Sequence, residues 1–328
     1  MGRNHARVWL SLGHDLVGIV DPVKPPDGTI PDGVRWFTDI QSMDREAIPG
    51  KPEAVSICTP TAHHRDAAIA AMELGYHCLI EKPVASSMDE AHDIRAAARR
   101  CGVVCGVGQV ERFNPAVTAL KGIVDAGELG EVFSMSTRRW SSMPGRIQDV
   151  GVLLDLGIHD LDVMRYLVGR EPVSVYAVAG GSAGERGDGE PAREDRATVV
   201  VDWGGGVSGV VEVSWRVPRK VRSLEVTGSR GLASLDFMGQ SVAISQSAYV
   251  GLDPGDLWGG RLESVVREVP VASGEPLRAE VSGFVGAVAG EGMSQNEDIV
   301  GVADGIGSLR LALAAVESTR TGKPVRLG

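Results

Sequence analysis

Several features that mark particular classes of protein are scarce or missing in this 328-residue chain. It has only four cysteines and no Cys-x-x-Cys pair, so we expect reduced thiols rather than disulfides or a metal site. It has no apolar run of about 18 residues, which argues against a membrane span. It also lacks a signal-peptide core, so we expect a cytoplasmic protein. The net charge of −10 comes without a basic stripe, so nucleic acid is not an expected partner.

Aromatic residues make up only 5% of the chain, so its core must be built mostly from valine, leucine, alanine and isoleucine. Hydrophobic residues account for 43% and charged residues for 23%, which is typical of a globular protein. The length is sufficient for two domains of ordinary size.

The first part of the chain, residues 1–108, alternates short apolar runs with helical patterns. Uninterrupted apolar strands between helices are typical of a parallel sheet that is buried on both faces. We therefore predict a Rossmann-type α/β domain here. The predicted strands are 16–20, 54–58 and 76–80, and the predicted helices are 65–74 and 87–100.

The pattern changes after Gly108. A helix over 115–126 leads into longer runs in which apolar and polar residues alternate, separated by glycine-rich turns. Such runs predict an α+β domain over 109–328 with a large, mostly antiparallel open sheet. Its predicted strands are 132–139, 173–179, 197–203, 207–215, 223–227, 232–237 and 242–246, and a last helix is predicted over 302–319.

The opening residues resemble part of a dinucleotide-binding fingerprint. Such a fingerprint has three glycines at a strand-to-helix turn and an acidic residue about 20 positions further on. Gly2 suits the third glycine, with Arg3 and Asn4 beside it at the start of a helix. Asp21 follows the next strand and is suited to the adenosine ribose hydroxyls. Its charge would repel a 2′-phosphate, so NAD is expected rather than NADP.

The first strand and the first two glycines of this fingerprint do not occur in the chain. We expect in-frame codons for an apolar strand ending in Gly-x-Gly-x upstream of the assigned start. Without that strand, its neighbours in the sheet would lose their hydrogen-bonding partners.

Two further segments carry residues suited to proton transfer. Glu81-Lys82-Pro83 ends an apolar run, and Asp155 and His159 are four positions apart, a spacing that places two residues on one face of an α-helix. A lysine, an aspartate and a histidine at the mouth of an α/β sheet could remove a proton from a substrate hydroxyl. The alternative for the Asp155/His159 pair is an ion pair on a helix surface.

These motifs together resemble the Gfo/Idh/MocA oxidoreductases over nearly the whole chain. The resemblance implies a Rossmann domain followed by an α/β domain whose open sheet forms homodimer or homotetramer contacts. It also implies that Lys82, Asp155 and His159 face the reacting carbon of a sugar. The segments implied to contact the nicotinamide and its ribose contain Thr59, Pro60, His64, Glu81, Lys82 and Pro83.

A narrower resemblance concerns the subgroup that oxidises the 3-hydroxyl of UDP-N-acetylglucosamine. Residues 110–117 and 146–152 resemble segments of that subgroup. In that case Arg139 or Arg146 could contact the diphosphate, the alternative being surface ion pairs. Two other residues also have two interpretations. Asn114 either caps a helix or contacts substrate, and Asp162 either serves the site or belongs to a local network.

The predicted reaction transfers a hydride from a secondary hydroxyl to NAD. His159 is the expected base, Asp155 would hold its tautomer, and Lys82 would stabilise the charge on the oxygen. The roles of Lys82 and His159 could also be exchanged. The alternatives are an inositol or aldose dehydrogenase of the same family, or a non-catalytic NAD-binding or truncated inactive protein.

Overall fold

A computed structural model describes residues 1–26, 28–46, 53–143, 150–181, 193–250, 261–290 and 299–328, without the side chains of 248–250 and 261–262. The chain divides into two compact units. The first unit is Met1–Val110 with Leu277–Leu309, and the second is Glu111–Pro276 with Arg310–Gly328. This differs from the predicted division into 1–108 and 109–328, because a C-terminal segment belongs to the first unit.

The described elements include eight α-helices and fourteen strands. The helices are α1 Gly2–Ser11, α2 Ile40–Arg45, α3 His64–Glu73, α4 Met88–Cys101, α5 Pro115–Asp125, α6 Ile158–Val168, α7 Pro276–Ala289 and α8 Val302–Thr321. The strands are β1 Gly18–Val20, β2 Arg35–Phe37, β3 Ala54–Ile57, β4 His77–Glu81, β5 Cys105–Gly108, β6 Val132–Ser142, β7 Ser174–Gly180, β8 Arg196–Gly204, β9 Val207–Ser214, β10 Arg216–Gly228, β11 Gly231–Asp236, β12 Ser241–Val250, β13 Arg261–Val269 and β14 Val325–Arg326. None of the described helices combines the length and apolar content that a membrane crossing needs.

The first unit contains the predicted parallel sheet, in two pieces. Strands β1 and β2 pair parallel, and β3, β4 and β5 form a second parallel set in that order. Within the described residues no ladder joins β1 to β3.

Local sequence signals explain where α4 begins and ends. The Ser87 hydroxyl accepts a hydrogen bond from the Glu90 backbone N–H at 3.2 Å, as the predicted cap requires. The Glu90 carboxylate accepts a hydrogen bond from the Ser86 N–H at 2.9 Å. In a reciprocal capping box it would accept from the N–H of the cap residue Ser87 instead. The helix ends at Cys101 and is followed by Gly102, whose positive φ of 67° suits glycine.

The C-terminal segment joins the first unit through apolar packing. Leu277, Val281 and Phe284 share one face of α7 at helical spacing and pack in one cluster with Val8 and Leu79. A backbone hydrogen bond also connects this segment to β5, because the Val107 N–H donates to the Val300 carbonyl at 2.8 Å. These contacts connect residues far apart in the chain, so the pattern change after Gly108 did not indicate them.

The second unit is built on a nine-stranded sheet with the order β13-β12-β11-β10-β6-β9-β8-β7-β14. Only β6 and β9 pair parallel, so the prediction of a mostly antiparallel sheet is confirmed. Alternation gives the sheet one apolar inner face, as in β8, where Val199 and Val201 are buried and Val200 is exposed. Leu120 of α5 and Leu161 of α6 belong to the core on that inner face.

Candidate functional site

The carboxyl ends of β3, β4 and β5 lie at one edge of the parallel sheet, because the strands run in the same direction. Open α/β sheets bind ligands at this edge. Lys82 follows β4 there and is half-buried, and Thr59 follows β3 by two residues. The peptide bond between Lys82 and Pro83 is cis. The structure therefore places the first predicted motifs at an edge suited to ligand binding.

Glu81 is held by the protein's own side chains. Its carboxylate lies 2.8 Å from Nε2 of the buried His5, and its other oxygen accepts from the Lys82 backbone N–H at 3.3 Å. The other ring nitrogen of His5 lies 3.1 Å from the Ser56 hydroxyl. Burial opposes ionisation, but the bond and charge of His5 and the charge of Lys82 outweigh it and lower the pKa of Glu81. Glu81 thus helps to position Lys82.

His64 connects two of the predicted turns. Its Nδ1 lies 2.9 Å from the Pro83 carbonyl oxygen, and its Nε2 lies 2.9 Å from that of Thr59. Both partners only accept hydrogen bonds, so the ring can donate to both only when it carries two protons. Burial lowers the pKa of His64 and favours the neutral ring, which donates to one carbonyl. The histidine ring thus lies between the residues that follow β3 and those that follow β4.

The opening residues present a helix N-terminus and an exposed acid. No side chain caps α1 at Gly2, and Arg3 and Asn4 are exposed. Asp21 follows β1 and is also exposed; one of its carboxylate oxygens accepts from the Val23 N–H at 2.9 Å. An uncapped helix N-terminus suits a phosphate, and an exposed carboxylate suits ribose hydroxyls. These residues therefore fit a dinucleotide cofactor.

One group in the described residues has the spacing of a metal site. The ligand atoms of His5, Cys58 and Glu81 lie within 4.8 Å of one another. The histidine and the carboxylate already face each other, and burial together with the Glu81 charge raises the pKa of the Cys58 thiol. A protonated thiol is a poor metal ligand, so we interpret the group as a hydrogen-bonded cluster.

In the second unit, Asp155 and His159 lie on consecutive turns of one helical segment. Asp155 belongs to a π-helical turn over Leu153–Gly157, and His159 lies in the first turn of α6; both are half-buried. A π-helix has more residues per turn than an α-helix. The turn that carries Asp155 is therefore π-helical rather than α-helical as predicted. That the two side chains share one face stays a prediction. Single π-helical turns are nevertheless frequent at functional sites.

Arg139 is buried in an ion-pair network. Its Nε lies 2.8 Å from an Asp160 oxygen, and its Nη1 lies 2.7 Å from a Glu111 oxygen. Burial disfavours the charged form, but the two carboxylates outweigh it and raise the pKa of Arg139. Both sequence-based interpretations therefore need correction. Arg139 is 1% exposed and its guanidinium is occupied by carboxylates, so it is neither a surface ion pair nor open to a diphosphate.

The other predicted substrate residues have different outcomes. Asp162 accepts two hydrogen bonds of 2.7 Å from Arg112 and is buried, which favours the local-network interpretation. Asn114 caps α5 by accepting from the Ala116 N–H at 3.1 Å, and its amide donates to the Phe237 carbonyl. Arg146 lies outside the described residues.

Sequence reasoning missed Glu111 and Asp160, the carboxylates of the Arg139 network. A signal for them was present in β6, where strand alternation puts Arg139 on the same inner face as Met135. A buried arginine needs carboxylate partners. Alternation could thus have predicted that such partners exist, although not which residues they are.

Comparisons with known proteins agree with this arrangement. Residues 1–109 match the oxidoreductase family with an NAD-binding Rossmann fold, and residues 117–234 match the GFO/IDH/MocA C-terminal domain. The chain is 30% identical over 292 residues to the UDP-N-acetylglucosamine 3-dehydrogenase of Acidithiobacillus ferrooxidans, covering 88% of this chain and 86% of that protein. It is 30% identical over 344 residues to the scyllo-inositol 2-dehydrogenase (NAD(+)) of Bacillus subtilis, covering 100% of this chain and 93% of that protein.

A solved structure gives the same result. The UDP-N-acetylglucosamine 3-dehydrogenase GnnA from Acidithiobacillus ferrooxidans has a TM-score of 0.78 and 27% identity, over 98% of this chain and 94% of that one. The matched regions include the parallel sheet with Lys82 at its edge and the helical segment with Asp155 and His159. By its sequence and by its fold, this chain belongs to the Gfo/Idh/MocA family of NAD-binding sugar and polyol oxidoreductases.

Proposed function

We propose that this protein oxidises a secondary hydroxyl of a sugar or nucleotide sugar and passes the hydride to NAD. The observation that carries the proposal is the position of Lys82 directly after β4, where the buried Glu81 accepts a hydrogen bond from its backbone N–H. Membership of a family of sugar and polyol oxidoreductases supports the reaction class.

The proposal gives each residue one task. NAD, when bound, accepts the hydride. His159 takes the hydroxyl proton, since an imidazole has a pKa suited to a base near neutral pH. Asp155, on the preceding turn, orients the ring. Lys82 donates a hydrogen bond to the substrate oxygen and stabilises its developing negative charge.

The choice of NAD over NADP rests on Asp21. Its exposed carboxylate follows β1, where it can accept hydrogen bonds from ribose hydroxyls and repel a 2′-phosphate. Calorimetric titrations of the two cofactors test this, and we expect NAD to bind more tightly. We expect Asp21→Ser to reduce that preference, whereas equal binding of both cofactors by the wild type would contradict it.

Two substrate classes compete. One is UDP-N-acetylglucosamine, oxidised at C3, and the other is a cyclitol or aldose. Each is supported by a relative at 30% identity, and the nucleotide-sugar enzyme is also a structural neighbour at 27% identity. We therefore propose the nucleotide sugar first. NADH formation with UDP-N-acetylglucosamine, scyllo-inositol and D-glucose separates the two classes.

The active-site proposal is tested by single substitutions. We expect His159→Ala and Lys82→Ala each to lower kcat about 100-fold or more. His92→Ala, an exposed histidine on α4, is the matched control and should retain normal turnover. Near-normal turnover in both site variants would refute the assignment. Tight NAD binding without reduction by any substrate would favour the non-catalytic alternative.

We further propose a homodimer or homotetramer formed through the outer face of the nine-stranded sheet. Three apolar side chains are exposed on neighbouring strands there, at 38% for Tyr176, 58% for Val178 and 43% for Val200. Light scattering after size exclusion tests this. We expect an oligomer that Val178→Glu weakens, and a monomeric wild type would contradict the proposal.

A further inference from the structure

Arg222 occupies an unusual position in the second unit. It lies on β10, directly opposite Arg139 on β6, and its side chain is 38% exposed. Its Nη1 is 3.6 Å from the nearer oxygen of Glu111, which is too long for a hydrogen bond. Among the described residues, its guanidinium donates no hydrogen bond. An arginine with five N–H donors is thus held close to a carboxylate while its donors stay available.

The two arginines divide their tasks. Arg139 is 1% exposed, and its guanidinium donates hydrogen bonds to Asp160 and Glu111. Arg222 stands beside this pair and is open to solvent, so only Arg222 can donate to a ligand.

The surrounding charges indicate the kind of ligand. Besides Arg139, the strongest charges acting on Arg222 are those of Glu111, Asp160 and Asp155. These carboxylates offset the charge of the two guanidiniums, so the group has no excess positive charge to attract a diphosphate. A hydroxyl-rich ring without charge suits this group, because its oxygens accept from Arg222 and its hydroxyls donate to Asp155.

We propose that Arg222 is a substrate-binding residue that donates hydrogen bonds to the oxygens of an uncharged, hydroxyl-rich ring beside Asp155. The inference deepens the proposed function, on which it rests. It places the sugar or cyclitol ring at Arg222 and assigns any diphosphate to another part of the protein.

The test measures binding without turnover. Calorimetry in the presence of NADH gives the Kd of UDP-N-acetylglucosamine, scyllo-inositol and UDP for the wild type, Arg222→Gln and Arg222→Lys. We expect Arg222→Gln to weaken the ring-bearing ligand that the wild type binds by about tenfold or more, since charged hydrogen bonds are lost. UDP and NADH affinities should change less than about twofold, because neither uses this contact. Arg222→Lys should recover part of the loss.

Arg138→Gln is the matched control. Arg138 directly precedes Arg139 on β6, and its side chain is 56% exposed and pairs with Glu212. Its substitution should therefore leave the affinities for all ligands unchanged. Wild-type affinity for the ring in Arg222→Gln would overturn the inference while leaving the proposed function intact. An equal loss of UDP binding would overturn it in favour of a diphosphate contact. A wild type that binds NADH but neither ring would reject both the proposed substrates and this role.

Discussion

The two units bury polar groups in different ways. In the first unit, the ring nitrogens of His64 face two backbone carbonyls, and His5 and Glu81 form one pair. In the second unit, Arg139 balances two buried carboxylates at once. Substitutions in the first unit therefore disturb turns that carry predicted cofactor residues. A single substitution in the second unit can leave a buried charge without its partner, which lowers the stability of the protein far more.

The largest effect is expected from breaking the second unit's network. Arg139→Ala leaves Glu111 and Asp160 buried without their shared cation and should lower the free energy of unfolding by about 3 to 5 kcal/mol. Urea denaturation measures this. Arg138→Ala, which removes an exposed arginine next to it, should change stability by less than about 0.5 kcal/mol. Equal stability of the two variants would show that the network contributes nothing.

A smaller loss is expected where two backbones of the second unit approach closely. A methyl group added at Gly228 would collide with the carbonyl oxygen of Leu129, a backbone atom that cannot turn aside. We expect Gly228→Ala to cost about 1 to 3 kcal/mol, measured by thermal or urea denaturation. The control is Gly122→Ala within α5, where a methyl group meets nothing and should stabilise by up to about 1 kcal/mol. Similar effects of both variants would contradict the close approach.

The first unit should show the pH dependence of a buried histidine. Burial lowers the pKa of His64 below the ordinary 6.5, so between these values the unfolded chain binds more protons than the folded one. The stabilising contribution of neutral His64 is present above about pH 6.5 and is lost as the pH falls. The free energy of unfolding then decreases by at most about 1.4 kcal/mol per pH unit. The lowered pKa of Glu81 acts in the same direction at lower pH.

Urea denaturation between about pH 7 and pH 5 measures this dependence. His64→Gln should flatten the decline in stability, whereas His92→Ala, which alters an exposed histidine, should reproduce the wild-type curve. Stability that rises towards pH 5, or an unchanged slope in His64→Gln, would contradict the assignment.

The smallest effect concerns the thiols of the first unit. Burial raises the pKa of Cys105 to about 12 and also raises that of Cys78, so both stay protonated. Cys101 is half-buried at the end of α4. We expect a thiol reagent to modify Cys101 at least about tenfold faster than the other two, with mass spectrometry locating the adduct. Faster labelling of Cys105 would show that β5 opens readily.

Much of the local structure was predictable. The caps at Ser87 and Asn114 involve hydrogen bonds within three residues, and the strands of the parallel sheet are uninterrupted apolar runs. The π-helical turn at Asp155 was not predictable, because spacing alone does not distinguish it from an α-helix. The sequence also did not predict that α7 packs in the first unit, because an apolar helix face does not indicate which unit the helix packs against.

The sequence by itself determined the order of the elements, the class of each unit and the motifs that mark the family, because these depend on residues near one another in the chain. Only the tertiary structure decided which buried charges meet. Arg139 finds Glu111 and Asp160, which are 28 and 21 positions away, and leaves Arg222 available on the adjacent strand. Such pairings depend on strand register and on the cost of an unpaired buried charge, and both exist only once the chain has folded.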